Sequence, residues 1–202
     1  MSVKDNITVI GLTGMSGAGK TTVCEVFRTN GFDIIDCDLI CRKIVQKGKP
    51  CLSEIAFKFG SEVITPQGEL NRSRLGKIIF SDKTKRSILN GIMYPYVSYI
   101  VIKNILSAKN NHVVLDAPTL FESGIDDICN TIVCVTAEKK SLIQRIIERD
   151  RISSEAAENR LNSQNPPEFY INKSNYAIFN NGTEEELVNS ALKTINTIRK
   201  VK

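Results

Sequence analysis

Residues 7–21 read Ile-Thr-Val-Ile-Gly-Leu-Thr-Gly-Met-Ser-Gly-Ala-Gly-Lys-Thr. The first part, ITVIGLT (7–13), is short, apolar and β-rich. The second is a glycine-rich turn with the spacing Gly14-x-x-x-x-Gly19-Lys20-Thr21. Beyond it Val23, Val26 and Phe27 share one face of a helical pattern that Gly31 ends. A strand, this turn and a helix, in that order, are the context in which the spacing makes a phosphate-binding P-loop. Glycines let the backbone curl so that N–H groups point at phosphate oxygens, and the helix N-terminus adds favourable partial charge. The motif predicts a nucleotide with its phosphates against Gly14, Met15, Ser16, Gly17, Ala18, Gly19, Lys20, Thr21 and Thr22. Lys20 then reaches the β- and γ-phosphates, and the Thr21 hydroxyl meets Mg²⁺.

Four further β-rich runs follow: FDIID (32–36), HVVLD (112–116), TIVCVT (131–136) and YAIF (176–179). Helical patterns separate them, which predicts an α/β fold: a parallel five-stranded sheet with helices on both faces. Ligands of such sheets sit beyond the carboxyl ends of the strands, here Thr13, Asp36, Asp116 and Thr136. Asp38 can cap a helix whose apolar face includes Leu39, Ile40, Ile44 and Val45. Residues 49–110 lack a convincing buried strand. They suggest helices around Leu52–Phe59 and Leu75–Ile79, and a third, from Val97 to Leu106, after Tyr94-Pro95. An amphipathic helix covers 138–150 and a second about 154–164, stopping at Pro166-Pro167. Asn180-Asn181-Gly182 is a turn, and Thr183-x-x-Glu186 is a capping box for the last helix. The expected division is a core (1–48, 111–137, 174–202), a helical insertion (49–110) and a helical lid (138–173).

Composition limits the function. With 202 residues, 42% hydrophobic and 24% charged, the chain suits one globular unit. The net charge of +5 is too small to argue for nucleic-acid binding. It is uneven, however: residues 42–90 carry eleven bases and four acids. That is either a solvated helix surface or a surface that meets a phosphorylated ligand. Six cysteines without a C-x-x-C pair, and a single histidine, make a zinc site improbable. No stretch has membrane-spanning length and the N-terminus has no long apolar core. The expectation is a reduced cytoplasmic protein without membrane or nucleic-acid partners, monomeric or a weak homo-oligomer.

Three further groups carry chemistry. Asp36-Cys37-Asp38 ends the second strand, close to the P-loop in this fold class. One carboxylate there can take a proton from an attacking hydroxyl and the other can serve Mg²⁺. Arg145 and Arg149, four apart, share one face of the helix 138–150, and Arg160 and Gln164 repeat the spacing. They are either a solvated face or a lid that stabilises a transferring phosphoryl group. Asp116, in Leu115-Asp116-Ala117-Pro118, stands at a strand end, where it either marks an ordinary strand-to-turn transition or positions substrate or metal-bound water. A GTPase would carry D-x-x-G and N-K-x-D motifs, and neither appears.

The ordered set of these blocks resembles the dephospho-CoA kinase family nearly end to end. Gly11-Leu12-Thr13-Gly14 through Thr21 looks like its opening. Asp36-Cys37-Asp38 stands for its usual Asp-Ala-Asp. Phe59-Gly60 with Gly68-x-Leu70-x-Arg72-x-x-Leu75, Asp116-x-Pro118-x-Leu120-Phe121-Glu122, and Arg145, Arg149-Asp150, Arg160 and Gln164 match its later blocks. The resemblance implies transfer of the ATP γ-phosphate to the ribose 3′-hydroxyl of dephospho-CoA. It implies Asp38 as base, Thr13 as a hydroxyl near the acceptor and Arg145 or Arg149 as the transition-state arginine. Lys20 is in the same catalytic set. Asp36, Asp38, Arg72, Asp116 and Pro118 are the implied substrate contacts, with Thr21 and Asp36 toward the metal. Among the departures, Met15 replaces a glycine and is expected to tilt outward. Cys37 replaces alanine, Thr119 replaces leucine and Tyr94 replaces histidine. Another small-molecule P-loop kinase, or a regulatory nucleotide-binding module, is the alternative.

Overall fold

The computed structural model describes residues 7–80 and 82–200; residues 1–6, 81, 201 and 202, at the ends of the expected core and inside the expected insertion, lie outside that description. Strands β1 (Thr8–Gly14), β2 (Asp33–Asp36), β3 (His112–Asp116), β4 (Thr131–Thr136) and β5 (Tyr176–Phe179) form one sheet. Their order is β2-β3-β1-β4-β5, and every pairing is parallel. Near-continuous apolar runs are what a sheet covered on both faces requires.

Side chains alternate between those faces, so two cores form. On one, Ile10, Leu12, Val114, Val133 and Val135 pack against α1 (Lys20–Thr29) and α10 (Glu184–Lys200). Helices α7 (Lys139–Asp150) and α8 (Ser154–Asn162) close the same core through Leu142, Ile146, Ala157 and Leu161. On the other, Val9, Val113 and Leu115 meet α2 (Cys37–Ile44), α3 (Pro50–Phe59), α4 (Arg72–Phe80) and α5 (Lys83–Leu106). Two short helices, α6 (Leu120–Ser123) and α9 (Pro167–Lys173), and two 3₁₀ turns, Ser61–Val63 and Ile125–Ile128, complete the element order. Among the described residues no helix is long and apolar enough to cross a membrane.

Register sets the position of the site. Asp36 pairs with Asp116 across β2 and β3, and Asp116 pairs with Leu12 of β1. Two carboxylates therefore stand side by side at the edge where β1 enters the glycine turn.

Four expectations change. Asp36, not Asp38, caps α2: its Oδ1 accepts from the Leu39 N–H at 2.8 Å, and Asp38 lies in the first turn. The chain turns helical immediately after the strand, which leaves Asp36 in extended geometry and able to cap. Leu39 is 45% exposed and Leu106 62%, so neither belongs to a buried face. Helix α5 does not begin after Tyr94-Pro95 but runs through Pro95 from an Asp82 cap. Leu89, Val97, Val101 and Ile105 form one buried stripe across the proline. That packing outweighs the roughly 3 kcal/mol an internal proline costs a helix. Finally, Pro166-Pro167 stops one helix and starts another: Pro167 is the first residue of α9.

Candidate active site

A cavity of about 940 Å³ opens at the carboxyl edge of β1, β2 and β3. One wall is the P-loop: Gly14, Met15, Ser16, Gly17, Gly19, Lys20 and Thr21 all line it. Two glycines there are dictated by geometry. A Cβ on Gly14 would stand 2.4 Å from the Val135 carbonyl oxygen. Gly19 has φ +92°, and the space a Cβ would take holds Asn180 Nδ2 at 2.6 Å. Gly19 also gives α1 no side-chain cap, and the first turn of α1 contains no acid. Its free N–H groups and the positive end of the helix therefore remain available to an anion.

Lys20 Nζ forms an ion pair with Asp116 Oδ1. Lys20 is 15% exposed and Asp116 22%, so Asp116 partly neutralises the charge of the lysine beside the loop. Thr21 is exposed toward the cavity. Ala18 is fully buried and outside the lining; its carbonyl accepts from Asn180 Nδ2 at 2.9 Å. Thr22 is half-buried and also outside the lining. Met15 departs from expectation: it does not tilt outward but is 6% exposed, packed into the core near α7 and α8. A flexible thioether fills that gap, and the Thr136 hydroxyl approaches its sulfur at 3.6 Å.

The opposite wall carries Asp36, Asp38, Leu39 and Arg42 from α2, with Asp116 and Pro118 between the walls. Asp38 faces water in the open cleft, yet surrounding protein raises its pKa above the ordinary aspartate range by desolvation. Lys20 opposes that shift, Asp36 and Asp116 add to it, and Arg42 opposes it. Such a carboxylate is a stronger base than a free aspartate. Cys37, between the two acids, is buried. Thr13 is fully buried and donates to the Pro118 carbonyl at 3.2 Å, so it sits beneath the cavity, outside the lining. Arg72 is exposed at the start of α4 and likewise outside the lining.

The roof comes from α7 and the residues after α8. Arg145 Nη1 donates to the Asn180 carbonyl at 3.0 Å and Nη2 to Asn180 Oδ1 at 3.3 Å. Arg149 donates from Nε to Asp150 Oδ1 at 2.8 Å and from Nη2 to Ser16 Oγ at 3.3 Å. Gln164 Oε1 accepts from the Ser16 N–H at 3.0 Å. The segment bearing Arg149 and Gln164 is thus already fastened to the phosphate loop. Arg160 pairs instead with Asp150 and is absent from the lining.

Sequence reasoning missed Asn180, read only as part of a turn. It is 7% exposed and joins the P-loop carbonyl to Arg145. The contact links residues 162 positions apart, so no local pattern signals it. Arg42 and Glu148 were also missed as cavity residues. Glu122, noticed only as part of a block, accepts from Asn165 and Tyr170, each at 2.9 Å, and so ties the end of β3 to the roof.

Among the described residues, no three His, Cys, Asp or Glu side chains form a metal cage. Thr21, Asp36, Asp38 and Asp116 nevertheless give the cavity hard oxygen donors. That set fits Mg²⁺, which keeps few protein ligands and takes the rest from phosphate and water.

The dephospho-CoA kinase (CoaE) family model matches residues 8–186. A dephospho-CoA kinase of Arabidopsis thaliana is 34% identical over 195 residues, spanning 95% of this chain and 84% of its own. One from Syntrophotalea carbinolica is 39% identical over 181 residues, spanning 88% of this chain and 86% of its own. The solved dephospho-CoA kinase from Campylobacter jejuni has a TM-score of 0.67 at 27% identity, over 95% of this chain and 97% of that one. With its P-loop facing paired aspartates across one cleft, the chain belongs to the dephospho-CoA kinase family, a family of ATP-dependent kinases.

Proposed function

We propose that this cleft transfers the γ-phosphoryl group of ATP to the ribose 3′-hydroxyl of dephospho-CoA, giving CoA and ADP. The observation that carries the reading is Asp38, facing the P-loop across the same cavity, in a chain of this family. The oxygen of the 3′-hydroxyl attacks the γ-phosphorus, the bond to the β–γ bridging oxygen breaks, and ADP leaves with that electron pair. Asp38 accepts the hydroxyl proton. Lys20 leaves Asp116 for the β- and γ-phosphate oxygens, joined by the free N–H groups of the loop. Arg145 and Arg149 hold the roof and face the charge that develops on the transferring group.

Mg²⁺, held by Thr21 and Asp36, would neutralise phosphate charge. Asp36 keeps one oxygen on the Leu39 N–H, which fixes where its carboxylate stands. Asp116, once released by Lys20, and Pro118 border the acceptor. Thr13 acts through the Pro118 carbonyl it holds and is a positioning residue. Residues 49–110 serve the acceptor, with Arg72 toward its outer part, and 138–173 act as the lid over a core made by the remainder. The enzyme works as a monomer or weak homo-oligomer in the cytoplasm. In support, all six cysteines are free. Burial raises the Cys24 and Cys129 thiols to about 12 and the Cys51 thiol to about 11, so these thiols stay protonated.

The test is ADP release from Mg·ATP with and without dephospho-CoA, beside shikimate and nucleoside monophosphates as other acceptors. Release that depends on dephospho-CoA is expected. Stimulation by another acceptor alone would overturn the assignment.

A further inference from the structure

The cations of the cavity are not equally engaged. Lys20 is paired with Asp116, Arg149 with Asp150, and Arg145 is held by two bonds to Asn180. Arg42 differs. It lines the same cavity and is exposed. No hydrogen bond or ion pair joins its guanidinium to another described residue.

Its place in the fold narrows what it meets. Arg42 stands four residues after Asp38 on α2, so the two share a helix face about one turn, or about 5.4 Å, apart. They are close enough for Arg42 to act electrostatically on the Asp38 carboxyl. The P-loop forms the other wall and supplies its own N–H groups and Lys20 to the donor nucleotide. Arg42 is therefore on the acceptor side. A planar guanidinium whose five donors bond to no described residue is matched by a phosphate, which it can hold with two parallel bonds. In a nucleotide acceptor, the 3′-hydroxyl and the CH2 that carries the 5′-phosphate stand on neighbouring ribose carbons and point to opposite faces of the ring, which separates the hydroxyl from the phosphate by a few bonds. That is the kind of gap a single helical turn spans.

We propose that Arg42 binds the 5′-diphosphate of the acceptor, so that the ribose lies between Arg42 and Asp38 with its 3′-hydroxyl at the carboxylate. This rests on the acceptor reading above and names the group that orients the acceptor. Arg42 selects adenosine 5′-diphosphate esters over acceptors without a phosphate at that distance. The excess of bases in residues 42–90 adds longer-range attraction for the same anion.

The experiment is calorimetric titration of wild type, Arg42→Gln and Arg42→Lys with dephospho-CoA and, separately, with Mg·ADP. Arg42 is exposed, so both variants are expected to fold, which thermal melting checks. Arg42→Gln should weaken dephospho-CoA about ten- to a hundredfold, the range for losing a hydrogen-bonded charge pair. Mg·ADP affinity should be unchanged, and Arg42→Lys should recover part of the loss because it restores charge without the fork. Unchanged dephospho-CoA affinity in Arg42→Gln, or an equal loss for both ligands, overturns the proposal. Wild type that binds Mg·ADP but not dephospho-CoA overturns the acceptor reading itself, a result distinct from either.

Discussion

Asp38→Asn is expected to lower kcat by about 10²–10⁴-fold, the span general-base catalysis contributes, with ATP affinity retained. The amide occupies the volume of the carboxylate but cannot take the proton of the attacking hydroxyl. Substrate still meets the P-loop, Lys20 and the roof, so the loss belongs in kcat. The wild-type pH profile provides an independent readout. A base works only when deprotonated, so the rate falls as pH drops through the pKa of Asp38. Desolvation by the walls of the cleft, helped by Asp36 and Asp116, raises that pKa against the opposing charges of Lys20 and Arg42. The acid limb should therefore lie above the range of a free aspartate, and Asp38→Asn should remove it. Near-normal turnover, or an unchanged acid limb, would dismiss Asp38 as the base.

Removing the roof arginines is expected to have a comparable effect. An arginine that meets the transferring phosphoryl group is worth about 10³-fold or more in kcat. The two candidates are differently engaged. Arg145 already spends both terminal nitrogens on Asn180, whereas Arg149 is 58% exposed and touches the hydroxyl of Ser16 on the phosphate loop. Arg149→Ala should therefore cost more in kcat. Arg145→Ala should also loosen nucleotide binding, because Asn180 braces the Ala18 carbonyl behind the loop. Asp150 keeps Arg160 as a partner when Arg149 is removed, so the expected loss is not merely an orphaned carboxylate. Steady-state kinetics of the two alanine variants is the check. A loss below about tenfold in both would end the transition-state role of this helix.

The P-loop and the strands were readable because their signals are local: fixed glycine spacing, and β-rich apolar runs whose length and punctuation survive without tertiary information. Locality is also where the reading failed. Which of Asp36 and Asp38 caps α2 depends on the backbone angles of a single residue. The inward turn of Met15 depends on space left by α7 and α8, which no property of the loop encodes. Pro95 stays helical because buried residues on both sides of it lie on one stripe; a rule about proline alone argues the opposite. Asn180 was invisible for the same reason, as its partners come from the P-loop and α7. The start of α9 was different. A proline at the first helical position is a recognised opening signal, and Pro167 carried it in plain view.

The central claim is that this cleft phosphorylates one hydroxyl of one acceptor. The most direct test is the product itself. Dephospho-CoA and Mg·ATP carrying an isotopic label in the γ-phosphate would be incubated with the protein, and the product identified by mass and phosphorus NMR. The expected product is CoA, with the label in a monoester on the ribose 3′-oxygen and one ADP formed per phosphoryl group transferred. Label on any other hydroxyl, or labelled inorganic phosphate with the acceptor unchanged, would contradict it.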